Sequence, residues 1–313
     1  MELKELRYIV TLAEEGSISR AADRLFMAQS SLSQFLQQYE KELGTPLFAR
    51  TAKGIRPTTG GASFIERARE ILLQYKRAEN ELWDSVNLEG GRIIFGISSF
   101  RGRYMLPGIL ADFQQKYPKV KVDIVEANSM ELEEELTAGK VDLAVVALPV
   151  RLKGKVEKFY RDEILIVCSK NHPAMKYIFQ DNKTGQCHIE LRDAAMFRFI
   201  LSDYNTMLGS ISRQLFEKEH LNVHSDNSNI TAALSASMAR AGLGLAFTYR
   251  SCMEAYDDVA YLSVGRQGVF LDLALAYSAI GYQSKAVFAF SDGIRERYKR
   301  EPLPISHAGS GTL

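Results

Sequence analysis

Residues 21–61 read AADRLFMAQSSLSQFLQQYEKELGTPLFARTAKGIRPTTGG, and the fold of the first part of the chain turns on how this run divides into elements. In its middle, Leu32, Phe35, Leu36, Tyr39 and Leu43 recur at helical spacing and mark the inner face of a helix over 29–43. The positions between them are polar. Gln29, Ser30, Ser31, Ser33, Gln34 and Gln37, followed by Lys41, make an outer stripe, and no acid falls between 29 and 37. An ordinary solvated helix face mixes Glu with Lys. Hydroxyl and amide groups both donate and accept hydrogen bonds, which suits base edges and phosphates in the major groove of a duplex.

The flanks agree with that assignment. Upstream, Leu3, Leu6, Ile9, Val10 and Ala13 give an amphipathic helix that Gly16 stops. Ser17 then N-caps a short helix from Ile18 to about Leu25, in which Ala21 and Ala22 are small enough for another helix to cross closely. A short helix, a break at 26–28 and a polar-striped helix make a helix-turn-helix. Downstream, residues 47–50 and 55–58 flank the turn Thr51-Ala52-Lys53-Gly54 as a two-stranded wing. Its charges are Arg50, Lys53 and Arg56, all positive, which suits contact with a phosphate backbone. Pro57 is expected at a place in the wing where no ladder donor is needed. Residues 1–59 hold 8 Lys and Arg against 7 Asp and Glu, so any basic surface here is local.

From Phe64 the apolar positions run Phe64, Ala68, Ile71, Tyr75, Ala78 and Leu82, a heptad seam with charges between its members. Such a helix pairs with its counterpart in a second subunit, and a two-fold protein matches a two-fold DNA site. Gly90-Gly91 ends the segment. Beyond it, strands are expected at 92–97, 120–126 and 141–147, with helices around 105–117 and at 129–138. This alternation marks a parallel α/β sheet. Residues 161–168 read as a strand leaving that set. A second set follows, with strands at 199–201, 222–225 and 244–248 and helices at 207–220 and 229–240. A strand at 271–277 and a helix at 284–298 close the chain.

Two α/β lobes joined by crossing strands leave a cleft, and ligands in such sheets sit beyond the strand ends, where helix N-termini point. That rule selects Ser98, Ser99 and Arg101, then Asn128 and Ser129. In the other lobe it selects Ser202, Thr206, Asn227, Phe247 and Thr248. Hydroxyl-rich loops with Arg101 or Arg103 suit a small carboxylate, and Asp203 extends the choice to a zwitterion.

With 39 Lys and Arg against 38 Asp and Glu, the net charge of +1 excludes a strongly basic nucleic-acid coat. No stretch approaches the ~20 apolar residues of a membrane span, so no membrane partner is expected. The opening MELKELRYIVTLAEEG lacks the apolar core of a signal peptide, so a cytoplasmic chain is expected. Cys168, Cys187 and Cys252 form no CxxC pair. Cys168 and Cys252 lie in apolar surroundings, and Cys187, in a polar loop, is expected to be the exposed thiol. His220 and His224 stand four apart, but no third ligand is near, and no metal or cofactor is expected. No nucleophile elbow, P-loop or HExxH motif supports an enzyme. A small-molecule-binding protein with no DNA-binding role accounts for the second part of the chain only.

The run 21–61 resembles the N-terminal domain of LysR-type transcriptional regulators in Ala21-Ala22, Leu25, Gln29, Ser33, Leu43-Gly44, Leu47-Phe48, Arg50 and Thr58. The resemblance implies a winged helix-turn-helix at 1–59 and a linker and dimerisation helix at 60–89. It also implies an α/β effector domain of two Rossmann-like lobes, similar to periplasmic binding proteins. One lobe would comprise 91–161 and 267–302, the other 162–266, with a flexible tail at 303–313. The partners it implies are double-stranded DNA at a two-fold operator, a small-molecule effector, further copies of the chain as a homodimer and homotetramer, and RNA polymerase.

Overall fold

The computed structural model describes residues 2–52, 54–85, 91–182, 184–225, 229–280 and 282–300. Its contacts divide the chain into two units, Met1–Leu82 and Trp83–Leu313. The expected tail at 303–313, the helix break at Gly90, Lys53 and Asn227 lie outside the described residues.

The first unit starts with α1 (Leu3–Glu15), whose first turn is closed by a reciprocal capping box between Glu2 and Glu5. Next come α2 (Ile18–Arg24) and α3 (Gln29–Leu43). Ser17 occupies the N-cap position of α2, although its side chain makes no capping bond. Ala21 and Ala22 are buried at the crossing with α3, and Leu32, Leu36 and Tyr39 of α3 meet Ile9 and Leu12 of α1 in one core. Leu43 departs from expectation: at the end of α3 it is exposed.

The wing is β1 (Phe48–Thr51) paired antiparallel with β2 (Gly54–Pro57). Thr58 N donates to Leu47 O at 2.9 Å, whereas Ile55 N turns away from β1 and donates to Gly16 O at 2.9 Å. This alternation leaves Pro57 in a non-hydrogen-bonded pair with Phe48, where its missing N–H costs nothing.

Helix α4 (Thr59–Ser85) begins under Thr58, whose hydroxyl accepts from Gly61 N at 2.9 Å. Phe64, Ile65 and Ala68 pack toward the unit's core. Further along, the heptad seam is open to solvent: Ile71 is 42% exposed, Tyr75 46% and Leu82 64%.

The second unit opens with β3 (Arg92–Ile97), α5 (Ser99–Lys116), β4 (Lys121–Glu126), α6 (Ser129–Thr137) and β5 (Leu143–Ala147). β3 lies between β4 and β5 and is parallel to both. α5 starts at Ser99 instead of near Met105, and it accommodates Pro107 within its length. Its Met105, Ile109 and Phe113 cover one face of the sheet, and Leu132 and Leu136 of α6 cover the other.

Strand β6 (Val156–Ser169) is 14 residues long because it serves two parts of the sheet. After it come β7 (Phe179–Gln180), β8 (Cys187–Ile189), α7 (Leu191–Ala194), α8 (Met207–Lys218) and α9 (Ala232–Arg240). The chain then forms β9 (Ala246–Tyr249), a 3₁₀ turn at Arg250–Cys252, β10 (Val259–Val264), β11 (Val269–Tyr277) and α10 (Lys285–Arg300). The described strands join in the order β4-β3-β5-β11-β6-β10-β8-β7, with β9 added on β6. Residues 156–164 of β6 pair with β11, and residues 164–169 run between β9 and β10.

Some expectations are corrected here. Residues 222–225 form no strand, and 199–201 contribute a single bridge, Phe199 to Leu245. β10 was not anticipated, although its run VAYLSV is buried throughout. Cys187 is buried as well, because the chain around it forms β8 against β10 and is no exposed loop. Among the described residues, no helix is long and apolar enough to cross a membrane, and no group of three metal-ligating side chains occurs.

Candidate nucleic-acid interface and effector site

The polar stripe of α3 reaches the surface. Gln29, Ser30, Ser31, Gln34 and Gln37 are exposed and Ser33 is half-buried. Ala28 stands at the N-cap position and has no side chain with which to satisfy the first-turn N–H groups, and no acid lies in that turn. An uncapped helix start carries partial positive charge and free donors, which favour a phosphate oxygen.

Three acids of this unit are engaged elsewhere. Glu14 and Glu15 pair with Arg24 at 3.0 and 2.9 Å. Glu40 accepts from Leu47 N at 2.6 Å and from Phe48 N at 2.9 Å, which fixes the start of the wing to the end of α3. Arg50 and Arg56 are exposed. The register sets Arg50 opposite Ile55 and Arg56 opposite Ala49, so the two arginines leave opposite faces of the ribbon.

In the second unit the expected ligand residues divide by what their side chains already do. Asn128 accepts from Met130 N and Glu131 N, both at 3.0 Å, in a capping box that closes α6. Thr206 closes α8 by accepting from Gly209 N at 3.0 Å, and it stands 3.3 Å from the hydroxyl of buried Ser202. Thr231 closes α9 in the same way. α5 differs from these three: Ser98 is at its N-cap, yet the side chain makes no capping bond, and the first turn holds no acid. Ser99 is exposed and Ser129 half-buried. Thr248 is fully buried, and its hydroxyl lacks a hydrogen-bond partner.

Two expectations are corrected. Phe247 lies inside the core, where its ring stacks on Phe199 at 5.3 Å and meets Phe216 edge-on. Arg101 is not at the mouth of a cleft. It is 4% exposed, its guanidinium lies 3.7 Å over the Tyr249 ring, and Nη2 is 3.6 Å from Oδ2 of Asp162. Asp162 also accepts from Ser251 N at 3.0 Å and Ser251 Oγ at 2.7 Å. Burial pushes the Asp162 carboxyl above its ordinary range, against the pull of Arg101 and Ser251. The cluster ties the first turn of α5 to β6 and to the corner after β9.

Comparison with known proteins bears on both units. Residues 3–62 match the family model for bacterial regulatory helix-turn-helix proteins of the lysR family, and residues 87–299 match that for the LysR substrate binding domain. The chain belongs to the LysR family. A probable RuBisCO transcriptional regulator of Trichormus variabilis is 28% identical to it over 308 residues, covering 95% of this chain and 88% of that protein. A full-length OxyR variant from Pseudomonas aeruginosa shares the fold with a TM-score of 0.67 at 23% identity, covering 94% of this chain and 95% of that one. Full-length CbnR complexed with target DNA shares it with a TM-score of 0.64 at 19% identity, covering 95% and 99%.

LysR-type proteins are transcriptional regulators, not enzymes; they bind DNA through the helix-turn-helix and small-molecule effectors through the substrate-binding domain. In this LysR-type chain, sequence reasoning missed three features. Glu40, which ties α3 to the wing, gives no local sign of that role. The Asp162-Glu163 pair escaped notice although two acids opening the apolar run ILIV are a visible oddity; buried Glu163 pairs with Arg250 and accepts from Ser263. Asp84, near the end of α4, caps α10 by accepting from Lys285 N at 2.9 Å, a long-range contact with no local signal.

Proposed function

We propose that α3 enters the major groove through Gln29, Ser30, Ser31, Ser33, Gln34 and Gln37 while Arg50, Arg56 and Lys53 hold the phosphate backbone. The observation that carries this is the exposed stripe of α3, free of acid and led by an uncapped first turn. Two chains pair along the open seam of α4, and dimers associate into a tetramer, so that paired DNA-binding domains read a two-fold operator in the cytoplasm, where RNA polymerase is the further partner.

The effector unit works as two lobes, 91–161 with 267–302 and 162–266, which close on a small carboxylate or zwitterion. Its anionic end meets the open N-terminus of α5 at Ser98 and Ser99, with Ser129, Ser202, Thr206 and Thr248 as polar neighbours. Support comes from the uncapped start of α5 and the unpartnered Thr248 hydroxyl. Closure of the lobes re-spaces the DNA-binding domains through the linker helices.

The test is a selection of duplexes from a random pool by the full chain at two salt concentrations. Enrichment of a two-fold site whose affinity falls steeply with salt is expected. No enrichment at either salt, with or without a metabolite extract, would overturn the DNA-reading role of α3.

A further inference from the structure

The turn between α2 and α3 contains a residue that the fold by itself does not explain. Phe26 N donates to Asp23 O at 3.1 Å, and Met27 N donates to Ala22 O at 3.0 Å. Together these bonds form the Schellman closure of a helix, in which one residue takes a left-handed conformation and is usually glycine. Here that residue is Phe26, with φ of +54°. An L side chain in this region crowds its own backbone, and a bulky one is an outlier. The same unit uses glycine where only a turn is required: Gly16 after α1 and Gly44 after α3 have φ of +59° and +69°.

The side chain is equally out of place. Its neighbours Leu25 and Met27 pack against the unit's core, whereas Phe26 is 98% exposed. Backbone strain and a large apolar ring in water thus coincide at one position, and glycine would relieve both. Strain kept at such a position points to a function outside the fold. Phe26 stands three residues before Gln29, where the exposed stripe of α3 begins.

We propose that Phe26 is a specificity residue for DNA, its ring meeting the 5-methyl group of a thymine at the edge of the half-site read by α3. A phenyl ring offers phosphates nothing, and the apolar feature on base edges in the major groove is the thymine methyl. The inference rests on the assignment of α3 to that groove.

The test uses the full chain and the duplex that the unsubstituted protein enriches from a random pool. Phe26→Gly is expected to raise the melting temperature by a few degrees while binding this duplex on the order of tenfold more weakly. Phe26→Leu, which keeps carbon surface at the position, retains most of the affinity. Uracil in place of each thymine in turn weakens binding by the unsubstituted protein at one position per half-site, and Phe26→Gly is indifferent there. Gln34→Ala serves as the control. If Gln34→Ala loses the site and Phe26→Gly binds it as tightly as the unsubstituted protein, the role of Phe26 is overturned while that of α3 stands. If both keep full affinity, the α3 assignment falls and Phe26 with it. A loss in Phe26→Gly with no thymine position sensed by the unsubstituted protein would overturn the methyl contact.

Discussion

Replacing Arg101 by methionine removes the charge that faces Asp162 while keeping much of the volume that packs on Tyr249. Both ionic partners are buried, with Asp162 at 0% exposure, so water cannot take the place of the lost guanidinium. Removing one member of a buried pair typically costs ~3–5 kcal/mol, because the remaining charge is left uncompensated. Ser251 still donates two hydrogen bonds to Asp162, which places the expected cost of Arg101→Met near the lower end, about 3 kcal/mol at pH 8. For a unit of this size that is a fall of roughly 6–12 °C in melting temperature.

The pH dependence has a definite sign. Burial already raises the folded Asp162 carboxyl above its ordinary 3.8, and Arg101 opposes that rise. Without Arg101 the folded value climbs further, so the folded state holds its proton more tightly than the unfolded chain does. Stability in Arg101→Met therefore recovers as the pH falls from the folded value toward 3.8, by at most ~1.4 kcal/mol per pH unit. Thermal scans of the full chain at pH 8 and pH 5.5 should show a deficit that shrinks at the lower pH. Adding Asp162→Asn should restore much of the loss at pH 8, since no lone charge then remains. A deficit below about 1 kcal/mol at pH 8 would refute the assignment of Arg101 and Asp162 as a buried ion pair.

Two further outcomes can be measured directly. Ile71→Glu combined with Tyr75→Glu should convert the dimer to monomer in sedimentation with helix content unchanged. Each half-exposed side chain is worth ~1 kcal/mol on burial, so losing four across a two-fold interface weakens it about a thousandfold; an unchanged mass would remove the seam from the interface. All three cysteines are buried, and burial pushes the thiols of Cys168 and Cys252 up to about 12, so the native protein should show no fast-reacting thiol toward a disulfide reagent at pH 8. Rapid reaction of one equivalent would contradict the burial of Cys187 in β8.

What could be read in advance depended on whether a signal was local. The helices α1 to α3 and the wing each carry their own periodicity, caps and turn residues, and the acid-free stretch 29–37 is a property of consecutive positions. The misplaced residues are those whose environment is assembled from distant chain. Arg101 follows a strand and opens a helix, as a ligand-binding arginine does, and what withdraws it is Asp162 on a different strand. Phe247 sits near a strand end, but β9 adds to the side of β6 and turns that ring toward Phe199 and Phe216. Cys187 looked exposed because its neighbours are polar, and its burial comes from β10 alongside. Phe26 is a different case. Nothing in LFMAQ distinguishes the phenylalanine from its neighbours Leu25 and Met27, since all three are apolar residues in a short break. Only the backbone angle separates it, together with the direction its ring takes once the two neighbours have turned inward. Local pattern thus marked out α3 and its acid-free stripe. The residue the chain holds out ahead of that helix, at a cost in both strain and exposure, became visible only in the folded turn.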